Sequence, residues 1–218
     1  MAVRRLSSLL LVPVLLAGLA SSIGAGEPLP GPEDADLFKG ESVDLYFYHN
    51  PFFSFEMTIP GDWHPLSTED LLRLMRKEAP GFEYSEQMMK EGGVSHLLSI
   101  SRYVPAQRGP RGEFNPNILV TAWDLSKLPG VKTAKDYIEF KMAMIKAWGV
   151  TPGADPYPVR LGEVEFWRFD GAKRSPEFQS WAHVITIRKG YALDFQLVAG
   201  SKADMDRLDQ ILKSLYFE

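Results

Sequence analysis

The sequence predicts an α+β fold, a mostly antiparallel β-sheet of about six or seven strands flanked by helices. Aromatic and β-branched residues alternate over several short runs, the period-two mark of half-buried strands. Three segments carry a hydroxyl residue followed three positions later by Asp, a helix-start signature. Strands and helices neither alternate strictly nor fall into two blocks, which fits helices laid on an antiparallel sheet. No fixed-period repeat is visible, which sets aside solenoids and propellers.

Taken in order, residues 1–26 read as an export signal. Arg4 and Arg5 precede an apolar stretch from Leu6 to Ala20, and small residues follow to Gly26. This stretch of about 15 residues falls short of the roughly 18 to 20 that a bilayer span needs, so no integral span is expected after cleavage. Residues 27–37, opening EPLPGPE, have no apolar periodicity and read as a linker, with one domain over residues 38–218. Val43, Leu45 and Phe47 define one face of a first strand, and Phe53, Phe55, Met57 and Ile59 one face of a second. His49-Asn50-Pro51 is the expected turn between them. Ser67 to Asp70 starts a helix, a short helical turn follows at Ser85 to Glu91, and a strand lies near His96 to Val104. After the loop PAQRGPRGEFNP, strand character returns at Asn117 to Trp123.

Thr133 to Asp136 caps the next helix. Ala134, Tyr137, Ile138, Met142, Ile145 and Trp148 share a face that Phe140, Met144 and Ala147 widen beyond half the circumference, which predicts the most buried helix, ended by Gly149. Pro152 to Pro158 reads as a connector. Strand-like runs at Glu163 to Phe169, Phe178 to Ile187 and Tyr191 to Val198 form a meander, with turns at Asp170-Gly171 and Lys189-Gly190. Ser201 to Asp204 caps a last helix whose Met205, Leu208, Leu212 and Leu215 form one stripe.

Composition narrows the function. The chain has 218 residues, with 24 Lys+Arg against 28 Asp+Glu, a net charge of -4. Loss of Arg4 and Arg5 with the signal leaves 22 basic residues and a charge of -6, without the basic excess that tracking a phosphate backbone needs, so no nucleic-acid partner is expected. The absence of Cys excludes thiol nucleophiles, thiolate metal sites, disulfides and lipid attachment through Cys. The expected product is a soluble, exported protein of the periplasm or exterior, large enough to fold on burial alone.

The run Phe53-Ser54-Phe55-Glu56-Met57-Thr58-Ile59-Pro60-Gly61-Asp62-Trp63 resembles the opening of the PsbP-like superfamily, in which an aromatic strand ends in Pro-x-x-Trp. Asn117-Ile118-Leu119-Val120 resembles its next marker. A helix at Thr133 to Trp148, Gly162, the Gly190-Tyr191 hairpin and the closing Ser214-Leu215-Tyr216-Phe217 follow in the same order. The resemblance implies an antiparallel sheet sandwiched by helices (α/β/α) and a mainly non-catalytic accessory or adaptor role. It carries over no functional residue.

Searches for chemistry return few candidates. Gly93-Val94-Ser95-His96-Leu97 lacks the second Gly of a nucleophile elbow, and Ser95 is better read as a strand-entry residue. His49, His64, His96 and His183 show no zinc spacing. His96 and His183 alternate with apolar residues and read as sheet-face histidines. Asp34-Ala35-Asp36 fails as a calcium loop, and no Gly-rich phosphate loop precedes a helix, so no cofactor or metal is expected. Asp62-Trp63-His64 is the triplet closest to catalytic chemistry, and a hydrolase or metal-dependent enzyme using His64 and Asp62 is the alternative function. In the plainer reading Trp63 plugs the sheet while its neighbours face water. Arg102, Arg108, Arg111 and Phe114 make the one basic patch, whose Arg108 and Arg111 suit an anionic protein partner or small ligand. The binding candidates are therefore Arg108, Arg111, Phe114, Trp63 and His64. Met75, Met88 and Met89 could line a partner groove, although core filling is the plainer role.

Overall fold

The computed structural model describes residues 45–66, 92–104, 109, 112–147, 153–174 and 178–218. The expected signal and linker, the helix from Ser67, the turn at Ser85 to Glu91, the three methionines above and the Gly149 helix end lie outside these residues.

Among the described residues, ten strands form two antiparallel sheets. The smaller joins β1 (Leu45–Asn50), β2 (Phe55–Pro60) and β10 (Tyr216–Phe217) in the order β1-β2-β10. The larger has seven strands, β3 (His64–Pro65), β4 (Val94–Ser101), β5 (Asn117–Asp124), β6 (Tyr157–Leu161), β7 (Val164–Arg174), β8 (Phe178–Arg188) and β9 (Tyr191–Ala199). Their spatial order is β3-β4-β5-β9-β8-β7-β6, so the meander expected after residue 163 stands. Two described helices, α1 (Ala134–Ala147) and α2 (Lys202–Lys213), complete the α+β fold.

Alternation assigns the two faces of the larger sheet. Leu98, Ile100, Ile118, Val120, Ala122, Ala182, Val184, Leu193, Phe195 and Leu197 point one way. There they meet Phe55, Met57, Ile59 and Trp63 of the β1–β3 region and Leu208, Ile211 and Leu212 of α2, forming a core of 23 buried residues. The opposite face carries Val94, Trp123, Phe169, Ile185 and Ala192 and packs on Tyr137 and Ile138 of α1, a second cluster of seven buried residues. A bulge between His96 and Leu98 lets Leu97 and Leu98 both enter the main core.

Both described helices start as expected. At α1, Asp136 N–H donates to Thr133 Oγ1 at 3.1 Å and Thr133 N–H donates to Asp136 Oδ2 at 2.8 Å, a reciprocal capping box. At α2, Asp204 N–H donates to Ser201 Oγ at 3.1 Å. Lys189 and Gly190 take φ of 50° and 80°, the left-handed pair that a two-residue hairpin needs between β8 and β9.

Several expectations are corrected. The first two strands belong to a separate sheet that Tyr216-Phe217 completes by pairing with Glu56 and Phe55. In β1 it is Tyr48, opposite Met57, that enters the core, while Phe47 is half-buried on the other face. Apolar residues occupy both parities of β1, so alternation alone does not choose. The chain turns at residues 51–54, not 49–51, because Asn50 stays in the strand and its Oδ1 accepts from Phe53 N–H at 3.0 Å. Part of the Pro-rich connector is the edge strand β6, where Pro158 is tolerated on an outer strand. Asp170-Gly171 is no turn, since β7 runs through it. A Cβ on Gly171 would lie 1.9 Å from Trp181 Cζ2, so glycine there makes room for the indole. Among the α1 side chains that are described, Tyr137, Ile138 and Lys141 are fully covered and Phe140, Met142 and Met144 half-covered.

Candidate functional site

One end of the larger sheet gathers Asp62, Trp63, His64, Arg102 and Phe114. β3 pairs His64 with Ser101 at the end of β4, and Ser101 in turn faces Asn117 at the start of β5. The segment between β4 and β5 is pinned at its base. Arg102 N–H donates to Pro116 O at 3.0 Å, and the Asn115 side chain accepts from Tyr103 N–H at 2.9 Å and donates to Tyr103 O at 3.0 Å. Gly109 N–H donates to Glu113 O at 3.0 Å, and Gly112 N–H donates to Gly109 O at 2.8 Å. Phe114 packs across Gly200, where an added Cβ would lie 2.6 Å from the Phe114 Cβ. Arg108 and Arg111 themselves lie outside the described residues.

The Asp62-Trp63-His64 triplet divides at this end. Trp63 is buried in the main core, His64 is exposed on the outermost strand, and Asp62 forms an ion pair with the Arg102 guanidinium. The carboxylate thus serves Arg102, forty positions away, a pairing that no local spacing indicates. Among the described residues no group of three or more His, Asp or Glu is placed to hold a metal. The other histidines are dispersed. His49 Nδ1 lies 3.0 Å from Glu56 Oε1 on the smaller sheet, while His96 and His183 are buried on the α1 face of the larger one, with β5 and β9 between them.

That face holds a second constellation, which the sequence reading missed. Asp194 is fully buried at its centre. His183 Nδ1 lies 2.8 and 3.1 Å from its two carboxylate oxygens, Tyr137 OH donates to Oδ2 at 3.4 Å, and Gln196 Nε2 donates to Oδ2 at 3.5 Å. Lys141 Nζ, with a side chain only 1% exposed, lies 3.2 Å from Oδ2, close enough for an ion pair but not aligned as a directed hydrogen bond. The same ammonium sits over the Trp123 ring at 4.6 Å and the Tyr137 ring at 5.9 Å. Phe169 stacks flat on His183 at 4.8 Å.

Electrostatics follow from this geometry. Burial alone would push the Asp194 carboxyl up, but the electrostatic attraction of His183 and Lys141 and the His183 hydrogen bond outweigh it and hold Asp194 below its ordinary range. Burial pushes the Lys141 ammonium down, and Asp194 pulls it partly back. Burial and the adjacent Asp194 charge drive the Tyr137 phenol well up, which keeps it a neutral donor. His96, two strands from Asp194, is lowered to about 4 by burial, against a smaller opposing hydrogen bond with Leu98.

No protein-family model matches the chain, and no curated protein does. Solved structures do. LpqN, involved in cell envelope biogenesis of Mycobacterium tuberculosis, is 17% identical, with 83% of this chain and 94% of that one covered and a TM-score of 0.45. Cyanobacterial PsbP from Synechocystis sp. PCC 6803 is 12% identical, with 83% and 96% covered and a TM-score of 0.47. A protein from Bacteroides thetaiotaomicron VPI-5482 is 12% identical at a TM-score of 0.42, with 79% of this chain but 48% of that one covered. At these identities the likeness is one of fold.

Proposed function

We propose that the chain is an exported, non-enzymatic accessory domain that binds an anionic protein partner or small ligand at the loop-bearing end of its larger sheet. The observation that carries this reading is the pinned base of the β4–β5 segment. Two Asn115 hydrogen bonds and the Arg102–Pro116 backbone bond tie the two ends of a Gly/Pro-rich, arginine-bearing loop to each other, and the Phe114–Gly200 contact seats them beside the end of β9. A loop tied at its base presents side chains with little ordering cost on binding. Arg108 and Arg111 supply planar donors suited to carboxylate or phosphate groups, and His64 stands exposed on the neighbouring strand. Export rests on the charged, apolar and small-residue order of residues 1–26, and no described helix is long and apolar enough to cross a membrane.

Affinity capture from the envelope fraction with the mature chain tests the reading. A partner retained by the wild type and lost in Arg108→Glu/Arg111→Glu supports it, whereas equal capture by both removes the loop from the binding surface. N-terminal sequencing of the secreted or envelope form is expected to start near residue 27, and an intact Met1 in that fraction would refute signal cleavage. The alternative, hydrolase or metal chemistry at His64 and Asp62, gains no support from a carboxylate already paired with Arg102.

A further inference from the structure

The Lys141 ammonium occupies a ready-made cation site. Its surroundings are one buried carboxylate oxygen at 3.2 Å and two aromatic faces, Trp123 at 4.6 Å and Tyr137 at 5.9 Å. The two rings meet edge to face with centroids 5.8 Å apart, so the walls support each other. Asp194 also contacts His183 Nδ1 at 2.8 and 3.1 Å, so it keeps a second side-chain partner when the lysine is taken away. A carboxylate plus aromatic faces in a dry setting is the arrangement that recognises organic ammonium ions, through ring quadrupoles and one charge-assisted contact.

The supply of the cation is separable from most of the cage. Trp123 comes from β5, Asp194 from β9 and His183 from β8, all in the rigid centre of the larger sheet, whereas Lys141 arrives as a long side chain from α1. Lys141 contributes no backbone element to the walls, and shortening it leaves Tyr137 one turn away on the same helix face. We propose that Asp194, Trp123 and Tyr137 form a binding site for alkylammonium groups, which Lys141 fills as an internal ligand.

The test is chemical complementation. Lys141→Ala removes three methylene groups and the amine, the equivalent of one n-propylammonium ion. Thermal unfolding of this variant is followed with n-propylammonium chloride, with 1-propanol of the same shape, and with sodium chloride at matched ionic strength. Saturable stabilisation by n-propylammonium alone is expected, multiplying the folded-to-unfolded ratio about 11-fold at ten times the dissociation constant. Lys141→Met, which refills the space without charge, is expected to show none, and Lys141→Ala/Asp194→Asn to lose most of the effect. If Lys141→Ala does not fold, refolding it with and without n-propylammonium replaces the melt. Recovery of folded protein with the amine and not with 1-propanol supports the site. Equal effects of propanol or sodium chloride, or no recovery with the amine, overturn it.

Discussion

His96 ties stability to mild acid. It is 3% exposed on β4, opposite Thr121, where the bulge that sends Leu97 and Leu98 into the main core fixes its position. Burial lowers its pKa from 6.5 to about 4. A proton therefore binds the unfolded chain more tightly than the folded protein. The native state keeps its full stability above pH 6.5 and loses it progressively as the pH falls toward 4. At pH 4.5 the unfolded imidazole is almost wholly charged and the folded one mostly neutral. Two pH units at about 1.4 kcal/mol each, less the small fraction already protonated in the fold, give a loss of about 2.5 kcal/mol from this one residue. The assay is urea unfolding by tryptophan fluorescence at pH 7.5 and 4.5, for wild type and His96→Gln. Other carboxylates titrate in both proteins, so their contributions cancel in the comparison. The wild type is expected to lose about 2.5 kcal/mol more than the variant between the two pH values. Parallel losses, within about 0.5 kcal/mol, would refute the assignment of a buried neutral imidazole, as would a His96 NMR titration midpoint near 6.5.

Further outcomes follow from packing and backbone geometry. Phe195→Ala removes a ring packed between Phe55 at 5.7 Å and Phe166 at 6.0 Å, and calorimetry is expected to show a loss of about 3 to 5 kcal/mol. Gly171→Ala forces a methyl group into the Trp181 indole and should cost about 1 to 3 kcal/mol, with much of that loss absent when the change is made in a Trp181→Ala background. Thr133→Ala opens the α1 capping box at a cost of about 1 kcal/mol, visible as a lower urea midpoint with unchanged slope. Ser54 sits at φ 53°, a left-handed conformation that glycine adopts without a Cβ penalty, so Ser54→Gly is expected to raise stability by about 1 kcal/mol, and a lower melting temperature would refute that.

Local signals in the sequence were dependable where one residue type has one physical use. The hydroxyl-x-x-Asp caps at Thr133 and Ser201, the Lys189-Gly190 hairpin and the strands from Asn117, Phe178 and Tyr191 all lie where expected, because caps and tight turns are decided by a few neighbouring backbone groups. At Gly171 the local signal is ambiguous, because glycine after Asp serves turns and close packing alike, and only the partner strand reveals Trp181. β6 was hidden because proline argues against a strand until its edge position is known. Trp63, His64 and Phe114 were legible as candidates, and the structure gathers them near one end of the sheet. The Lys141–Asp194–His183 cluster was illegible for a different reason. A lone Lys in an apolar helix stripe and a lone Asp in a strand both read as solvent-facing until the helix is laid over the second face of the sheet. His183 reads in the sequence only as a sheet-face residue, and the register of the tight hairpin, which sets it diagonal to Asp194 on one face, is the one signal that exposes the pair.

The pairing of β10 with β2 links residues made about 160 positions apart, with Tyr216 opposite Glu56 and the Glu218 amide bonded to Ser54 O at 3.0 Å. Contacts so distant along the chain close slowly, since the whole intervening length must be ordered first. Until residue 217 is synthesised, β2 has a bare edge and the smaller sheet cannot be completed. A chain built this way stays short of its final fold through most of its own synthesis, which leaves its unpaired strand edge open to chaperones, or to wrong partners, until the last residues arrive.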